Sequence, residues 1–408
     1  MIEAAIADFQ AHFWLYVSIP FISGFIGWIT KIVAIQMMFY PIEFLGIKPF
    51  FGWQGIVPRK ADKMATIAVD LMTSKLIKPE EILRRLDPVR VAKEIEKPMI
   101  AAAEDIVRTV ATEYQPGLWE GMPEFMRQKI ISRVQGEVPS VVAEIMRDVQ
   151  KDIPHYFDLK HMVISNLLKD KQKLIDIFKE VGHKEFKFFG VAGFYFGFTI
   201  GLIQMACWAL FKAPWMLPAF GGFVGLVSDY LALQMLFRPM YPKKILGFTW
   251  QGLFLKRQKE VAGDYAALIS KSLLTPSNMI EELFRGPMSD HIMELIQRHV
   301  RVLIDEQSGM ARPLVVYAVG SQRYVEMKAV VSDRILAFLP EAMKHMEGYA
   351  EEAMDIRNTL VERMQLLNSE EFEGMLRPAF KEDEWILITV GAVLGIVVGE
   401  LQVHVMLT

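Results

Sequence analysis

Apolar and polar positions are segregated along this chain into oily stretches and longer amphipathic ones. Residues 188–211 run for 24 positions without a charge, and as a helix rising ~1.5 Å per residue they cover the ~30 Å hydrocarbon core of a bilayer. Three more stretches read as spans: 12–41, interrupted by Pro20 and Lys31; 214–238, interrupted by Asp229; and 385–407, interrupted by Glu400 and His404. Residues 212–213 leave only a hairpin loop between the middle two. Between the spans, 42–187 and 239–384 form two helical lobes, with apolar residues at helical spacing, as in Ile130, Val134, Val138, Val141, Ile145 and Val149. Nothing in them alternates like a strand, and Pro79, Pro98, Pro139, Pro154, Pro276 and Pro340 mark helix starts or kinks. The expected fold is all-α: a membrane protein of about four transmembrane helices and two long-helix lobes.

Sliding the chain on itself by 198 residues lays Gly24–Pro41 on Gly222–Pro239 with eight of eighteen positions identical. The same shift lays Gly193, Gly197, Gly201 and Gln204 on Gly391, Gly395, Gly399 and Gln402, and a shift of 197 lays Trp53-Gln54-Gly55 on Trp250-Gln251-Gly252. Three segments sharing nearly one offset predict a tandem repeat. Each unit is then a span, a Trp-Gln-Gly turn, a lobe and a returning span, and the two units are related by an axis near the membrane normal.

Composition fits this segregation, with 52 % apolar and 23 % charged residues. The net charge of -3 and the lack of a basic block exclude a nucleic-acid partner. Cys207 is the single cysteine, so a disulfide or Cys-based metal site within the chain is excluded. Glu3 and Asp8 stand where a secretory signal carries basic residues, so the N-terminal stretch reads as a retained span. Basic residues gather at the lobe ends of the spans, among them Lys48, Arg59, Lys169, Lys184, Arg238, Lys256, Arg257, Arg377 and Lys381, against Lys212 alone on the other side. By the positive-inside rule the lobes are cytoplasmic.

The chemistry-bearing positions are few. Lys31 and Asp229 occupy equivalent places in the two units, so they either neutralise one another or snorkel separately toward the lobe side. Glu400 has no evident partner in the sequence and reads as a possible proton or ion site. Gly193, Gly197, Gly201 and Gly391, Gly395, Gly399 each line one helix face, as packing within the bundle or as an interface or pore seam. Trp53 and Trp250, with Phe50, Phe51 and Phe248 before them, suit the headgroup layer, while Gly55 and Gly252 supply the turn. A recognition role for Gln54 and Gln251 is the alternative to a structural one. No HExxH, CxxC, GxSxG or phosphate-loop motif occurs, so neither catalysis nor a cofactor or metal is expected.

The stretch GFIGWITKIVAIQMMFYP with WQGIVPRK resembles the YheB-like family of bacterial membrane proteins, which includes the YjiN-type proteins. Its pattern is roughly G-x-x-G-x-x-T-N-x-x-A-I-x-M-L-F-x-P followed by Q-G and a basic helix. The chain departs from it at the Asn, which is Lys31 in one unit and Asp229 in the other, and the segment from Ser369 with its Pro-Ala-Phe stretch is also similar to the family. The resemblance implies a bacterial inner-membrane location and a helical fold, and no activity. The leading function is therefore a homo-oligomeric membrane scaffold whose lobes handle membrane lipid, because lobe helices such as PSVVAEIMRDV and SDRILAFLPEAMKHM carry more apolar surface than one stripe needs. Helix-on-helix packing explains the same surplus. Lobe methionines, among them Met122, Met126, Met146, Met343, Met346, Met354, Met364 and Met375, suit a surface that fits irregular ligands, or fill core gaps. The rival functions are a channel or transporter lined by Lys31, Asp229 and Glu400, and a membrane tether.

Overall fold

The computed structural model describes residues 9–47, 51–245, 247–308, 320–376 and 384–407. Lys48, Phe50, Arg377, Lys381, the Pro-Ala-Phe stretch and the side chain of Met375 lie outside the described residues. In chain order the elements are α1 (Phe13–Phe39), β1 (Leu45–Ile47), β2 (Phe51–Trp53), α2 (Ile56–Arg59), α3 (Ala61–Leu71), a π turn (Met72–Leu76), α4 (Pro79–Leu83), α5 (Pro88–Glu94), α6 (Glu96–Tyr114), α7 (Pro116–Gly121), α8 (Glu124–Lys151), α9 (Ile153–Tyr156), α10 (Leu159–Lys169), α11 (Lys171–Val181) and α12 (His183–Phe211). There follow α13 (Met216–Phe237), β3 (Lys243–Ile245), β4 (Phe248–Trp250), α14 (Leu253–Lys256), α15 (Gln258–Ser272), α16 (Pro276–Arg285), α17 (Ser289–Ser308), α18 (Ser321–Met343), a 3₁₀ turn (Lys344–Met346), α19 (Glu347–Met354), α20 (Ile356–Leu366), α21 (Ser369–Leu376) and α22 (Glu384–Leu407). Local chemistry sets several boundaries. Pro79, Pro88, Pro116 and Pro276 start helices, where a missing N–H costs nothing, and Asp87 and Thr275 cap two of them by accepting from Val89 and Asn278 backbone N–H groups.

Four helices are long and apolar enough to cross a membrane: α1, α12, α13 and α22. They fall on the four expected spans, α12 starting earlier because His183–Lys187 continue its helix. The two hairpins β1-β2 and β3-β4 were not legible in the lobes. Three-residue strands are too short to show a period of two, and β1 is exposed on all its positions.

The chain separates into two compact units. The first collects Met1–Leu71, Leu167–Leu268 and Val361–Thr408: the four long apolar helices, both hairpins and the short helices beside them. The second collects Met72–Asn166 and Ile269–Leu360. The sequence suggests one lobe per repeat, whereas the central parts of both stretches close into one unit. The reason is side-chain pairing across them: Arg85 donates to the Met354 carbonyl (2.7 Å) and Thr359 Oγ1 (2.8 Å), and the rings of His155 and His291 stack at 4.0 Å. Ala102, Ile106 and Val110 of α6 form an apolar cluster with Met327, Val331 and Phe338 of α18.

Candidate functional site

In the first unit the glycines of α12 and α22 lie against the backbones of α1 and α13. A Cβ added to Gly27 on α1 would strike the Gly193 carbonyl, one on Gly197 the Ser23 carbonyl, and one on Gly201 would lie 2.7 Å from Pro20 Cα. The register repeats on the other pair: Gly225 against Gly391, Gly395 against Gly221, and Gly399 2.7 Å from Pro218 Cα. Each apolar helix thus packs antiparallel on its mate, α1 on α12 and α13 on α22, with backbones closer than any side chain allows.

Where the glycine faces end, charge begins. Lys31 and Asp229 form an ion pair, each side chain 0 % exposed. Lys31 Nζ also donates to Ser228 Oγ (2.7 Å) and lies 5.6 Å from the centre of the Phe189 ring. Room for these side chains comes from two missing ones, because a Cβ on Gly193 would lie 2.7 Å from Lys31 Cγ and one on Gly391 would strike Asp229 Oδ2. Snorkelling, the alternative open in the sequence, is not what the charges do. Glu400 is placed elsewhere: it is exposed on α22, and its carbonyl oxygen lies 3.0 Å from His404 Nδ1. Lys31 and Asp229 are thus buried together, while Glu400 is exposed.

Further along the bundle, Ser23 Oγ donates to Gln204 Oε1 at 2.6 Å. The equivalent amide of Gln402 is 4 % exposed, and neither of its polar atoms has a hydrogen-bond partner among the described residues. The sequence explains the difference, since Gly221, which the 198-residue shift lays on Ser23, carries no hydroxyl.

The Trp-Gln-Gly turns are fastened to span ends. Trp53 Nε1 donates to the Met37 carbonyl (3.1 Å), Gln54 Nε2 to the Ile42 carbonyl (2.8 Å), and Gly55 N–H to the Pro41 carbonyl (2.9 Å). At the second turn Gln251 Nε2 donates to the Met240 carbonyl (3.2 Å) and Gly252 N–H to the Pro239 carbonyl (3.0 Å). Pro41 and Pro239 both follow cis peptide bonds. Both glycines are needed for close approach, as a Cβ on either would lie 2.7 Å from the Phe39 or Phe237 carbonyl carbon. Both glutamine amides thus donate to backbone carbonyls. Beside these turns a charged chain missed by the sequence reading runs from Lys184 to Glu260 to Arg257 to Glu185, the last only 4 % exposed. Hydrogen bonds from Arg257 and then Lys184 hold the Glu260 carboxyl down at about 2.

The second unit contains a cavity of about 650 Å³, walled by α6, α7, α8, α17 and α18. Its wall is apolar, built from residues such as Ile106, Val110, Trp119, Val138, Val331 and Phe338. Of the methionines singled out in the sequence, Met122 lines it, joined by Met99 and Met327. Met146, Met343, Met346 and Met354 instead line a separate space of about 40 Å³, Met364 is buried core, and Met126 is exposed. No cluster of three or more His, Cys, Asp or Glu able to hold a metal occurs among the described residues.

No family model and no solved structure matches the chain. Curated relatives do. A UPF0754 membrane protein of Nostoc sp. (strain PCC 7120) is 34 % identical over 74 residues, 18 % of each chain. One from Exiguobacterium sibiricum is 35 % identical over 85 residues, 20 % of this chain and 22 % of the relative. One from Bacillus cereus (strain AH187) is 30 % identical over 128 residues, 30 % of this chain and 34 % of the relative. These matches span between about a fifth and a third of the relatives' own lengths. Their names agree with the four apolar helices. This is a membrane protein.

Proposed function

We propose that the second unit is an acyl-chain-binding domain held at the membrane by the four apolar helices of the same chain. The observation that carries the reading is the cavity of about 650 Å³ with its apolar wall. Ordinary cores are packed to the density of organic crystals and leave few voids larger than a water, whereas ligand pockets run from ~300 to ~1,000 Å³. A space of this size lined by Ile, Val, Met and Phe matches a hydrocarbon chain and offers little to a polar metabolite. The reading is non-enzymatic and requires no metal or cofactor. It puts the spans in a bacterial inner membrane with the lobes in the cytoplasm, supported by the basic residues at the lobe ends of the spans. It also takes the chain as an internal duplication that assembles into homo-oligomers. The repeated glycine register and the matching Gly55–Pro41 and Gly252–Pro239 turn bonds support the duplication.

The test uses the full chain in mild detergent and a fluorescent fatty acid. Saturable binding is expected, together with phospholipid retained through purification. Filling the cavity with Val331→Phe and Ala103→Phe should reduce binding at least tenfold while leaving the thermal transition in place. Absence of binding, or equal binding by the filled variant, overturns the reading.

A further inference from the structure

We infer that the two β-hairpins of the first unit lie in the lipid headgroup layer, and that Lys243 and Lys244 on the second bind anionic lipid there. The first observation is position. Trp53 donates its indole N–H to the carbonyl of Met37, two residues before α1 ends at Phe39. Trp53 and its cross-strand neighbour Leu45 therefore stand beside the last turn of the span rather than beyond it. The second hairpin has the same register, with Lys243 opposite Trp250, and is tied to its span by the Gly252 bond to Pro239.

The second observation is exposure. Leu45 is 72 % and Ile47 77 % exposed, and Tyr241, just before the second hairpin, and Trp250 within it are 52 % and 44 % exposed. Each hairpin forms a separate two-stranded sheet. Such a hairpin is marginal in water on its own, and an apolar strand of this kind with a free edge is an aggregation hazard unless something covers it. The third is charge. The position opposite the tryptophan is Leu45 in the first hairpin and Lys243 in the second, followed by Lys244, and neither lysine forms an ion pair among the described residues. The first hairpin thus offers aliphatic groups suited to the acyl boundary, while the second offers two ammonium groups suited to phosphate at the same depth. Basic side chains at an anionic leaflet are attracted within about a Debye length of the surface. This inference is independent of the acyl cavity, which belongs to the other unit.

The full chain with Cys207→Ser, reconstituted in nanodiscs, tests it with an environment-sensitive fluorophore on Ile47→Cys or on Thr249→Cys, the latter cross-strand from Lys244. The probe at 47 is expected to emit blue-shifted and to be quenched by shallow spin-labelled lipid in both phosphatidylcholine and phosphatidylglycerol-containing discs. The probe at 249 is expected to shift blue only with phosphatidylglycerol, with loss of that shift in high salt and in Lys243→Glu/Lys244→Glu. Retention of the wild-type elution profile by the charge-reversed protein keeps that loss distinct from unfolding. Water-like emission at 47 in both discs overturns the placement, and a shift at 249 that ignores phosphatidylglycerol or the charge reversal overturns the lysine site.

Discussion

Lys31 on α1 and Asp229 on α13 form an ion pair that no solvent reaches, each in a space left by a glycine on the neighbouring helix. Taking both charges out of water is expensive, and their attraction offsets this only while both are present. Removing one partner, by Lys31→Met or Asp229→Leu, is expected to cost roughly 3–5 kcal/mol. The double replacement Lys31→Met/Asp229→Leu should recover most of that loss. Unfolding in detergent, arranged as a double-mutant cycle, measures the coupling; additive losses would show that the pair does not act as one.

The glycine register makes a second expectation. Gly27→Ala and Gly225→Ala each place a methyl against a carbonyl of the mating helix, at Gly193 and Gly391. Backbone gives way poorly, so overpacking losses of about 1–3 kcal/mol are expected for each. Gly136, inside α8 with nothing within 4 Å of an added Cβ, is the contrast. There Gly136→Ala should stabilise by ~0.4–1 kcal/mol by restricting the unfolded chain. Thermal unfolding of the three variants checks both signs.

The spans were legible because a bilayer demands about 20 apolar residues in a row, a signal that neighbouring sequence cannot disguise. The pairing of Lys31 with Asp229 was legible as one of two choices, since the 198-residue shift lays two opposite charges on one another inside apolar stretches. The cavity was not. An apolar surplus along α6 or α18 is the same whether the facing residues fill the space or leave it open, and that depends on side chains far apart in sequence, such as Val110 and Val331. The Lys184, Glu260, Arg257 and Glu185 chain was hidden for the same reason, its members spread across 76 positions.

Acid should weaken the first unit through that chain. Glu260 titrates at about 2 because Arg257 and then Lys184 donate to it, well below the ~4.3 of an unperturbed glutamate. A depressed folded pKa means that ionised Glu260 favours folding. Its contribution is complete above about pH 4.3 and is lost as the pH falls toward 2. The carboxylate is exposed to water, so the effect is small. Glu260→Gln should lower the unfolding temperature at pH 7 and flatten its decline below about pH 4, converging with wild type in acid. Parallel curves would show that the bond to Arg257 carries no stability.

Gln204 and Gln402 occupy equivalent places on α12 and α22 yet meet different neighbours, and this gives two variants of opposite sign. Gln204 Oε1 accepts from Ser23 Oγ at 2.6 Å, so Ser23→Ala leaves a buried carbonyl oxygen without its donor. A loss of about 1–3 kcal/mol is expected, the desolvation cost of an orphaned group. Gln402 has lost that partner already, because Gly221 carries no hydroxyl, and both its amide atoms are buried without a hydrogen bond among the described residues. Restoring the hydroxyl with Gly221→Ser is no remedy, since any Cβ at Gly221 strikes the Gly395 carbonyl. Replacing the amide is. Gln402→Leu removes two unpaired polar atoms from an apolar bundle at nearly constant volume, and should raise stability by ~1 kcal/mol or more. The same change at Gln204 should destabilise, because it strands the Ser23 hydroxyl. Unfolding of Ser23→Ala, Gln204→Leu and Gln402→Leu in detergent decides it: equal effects of Gln204→Leu and Gln402→Leu would mean that the two amides share one environment.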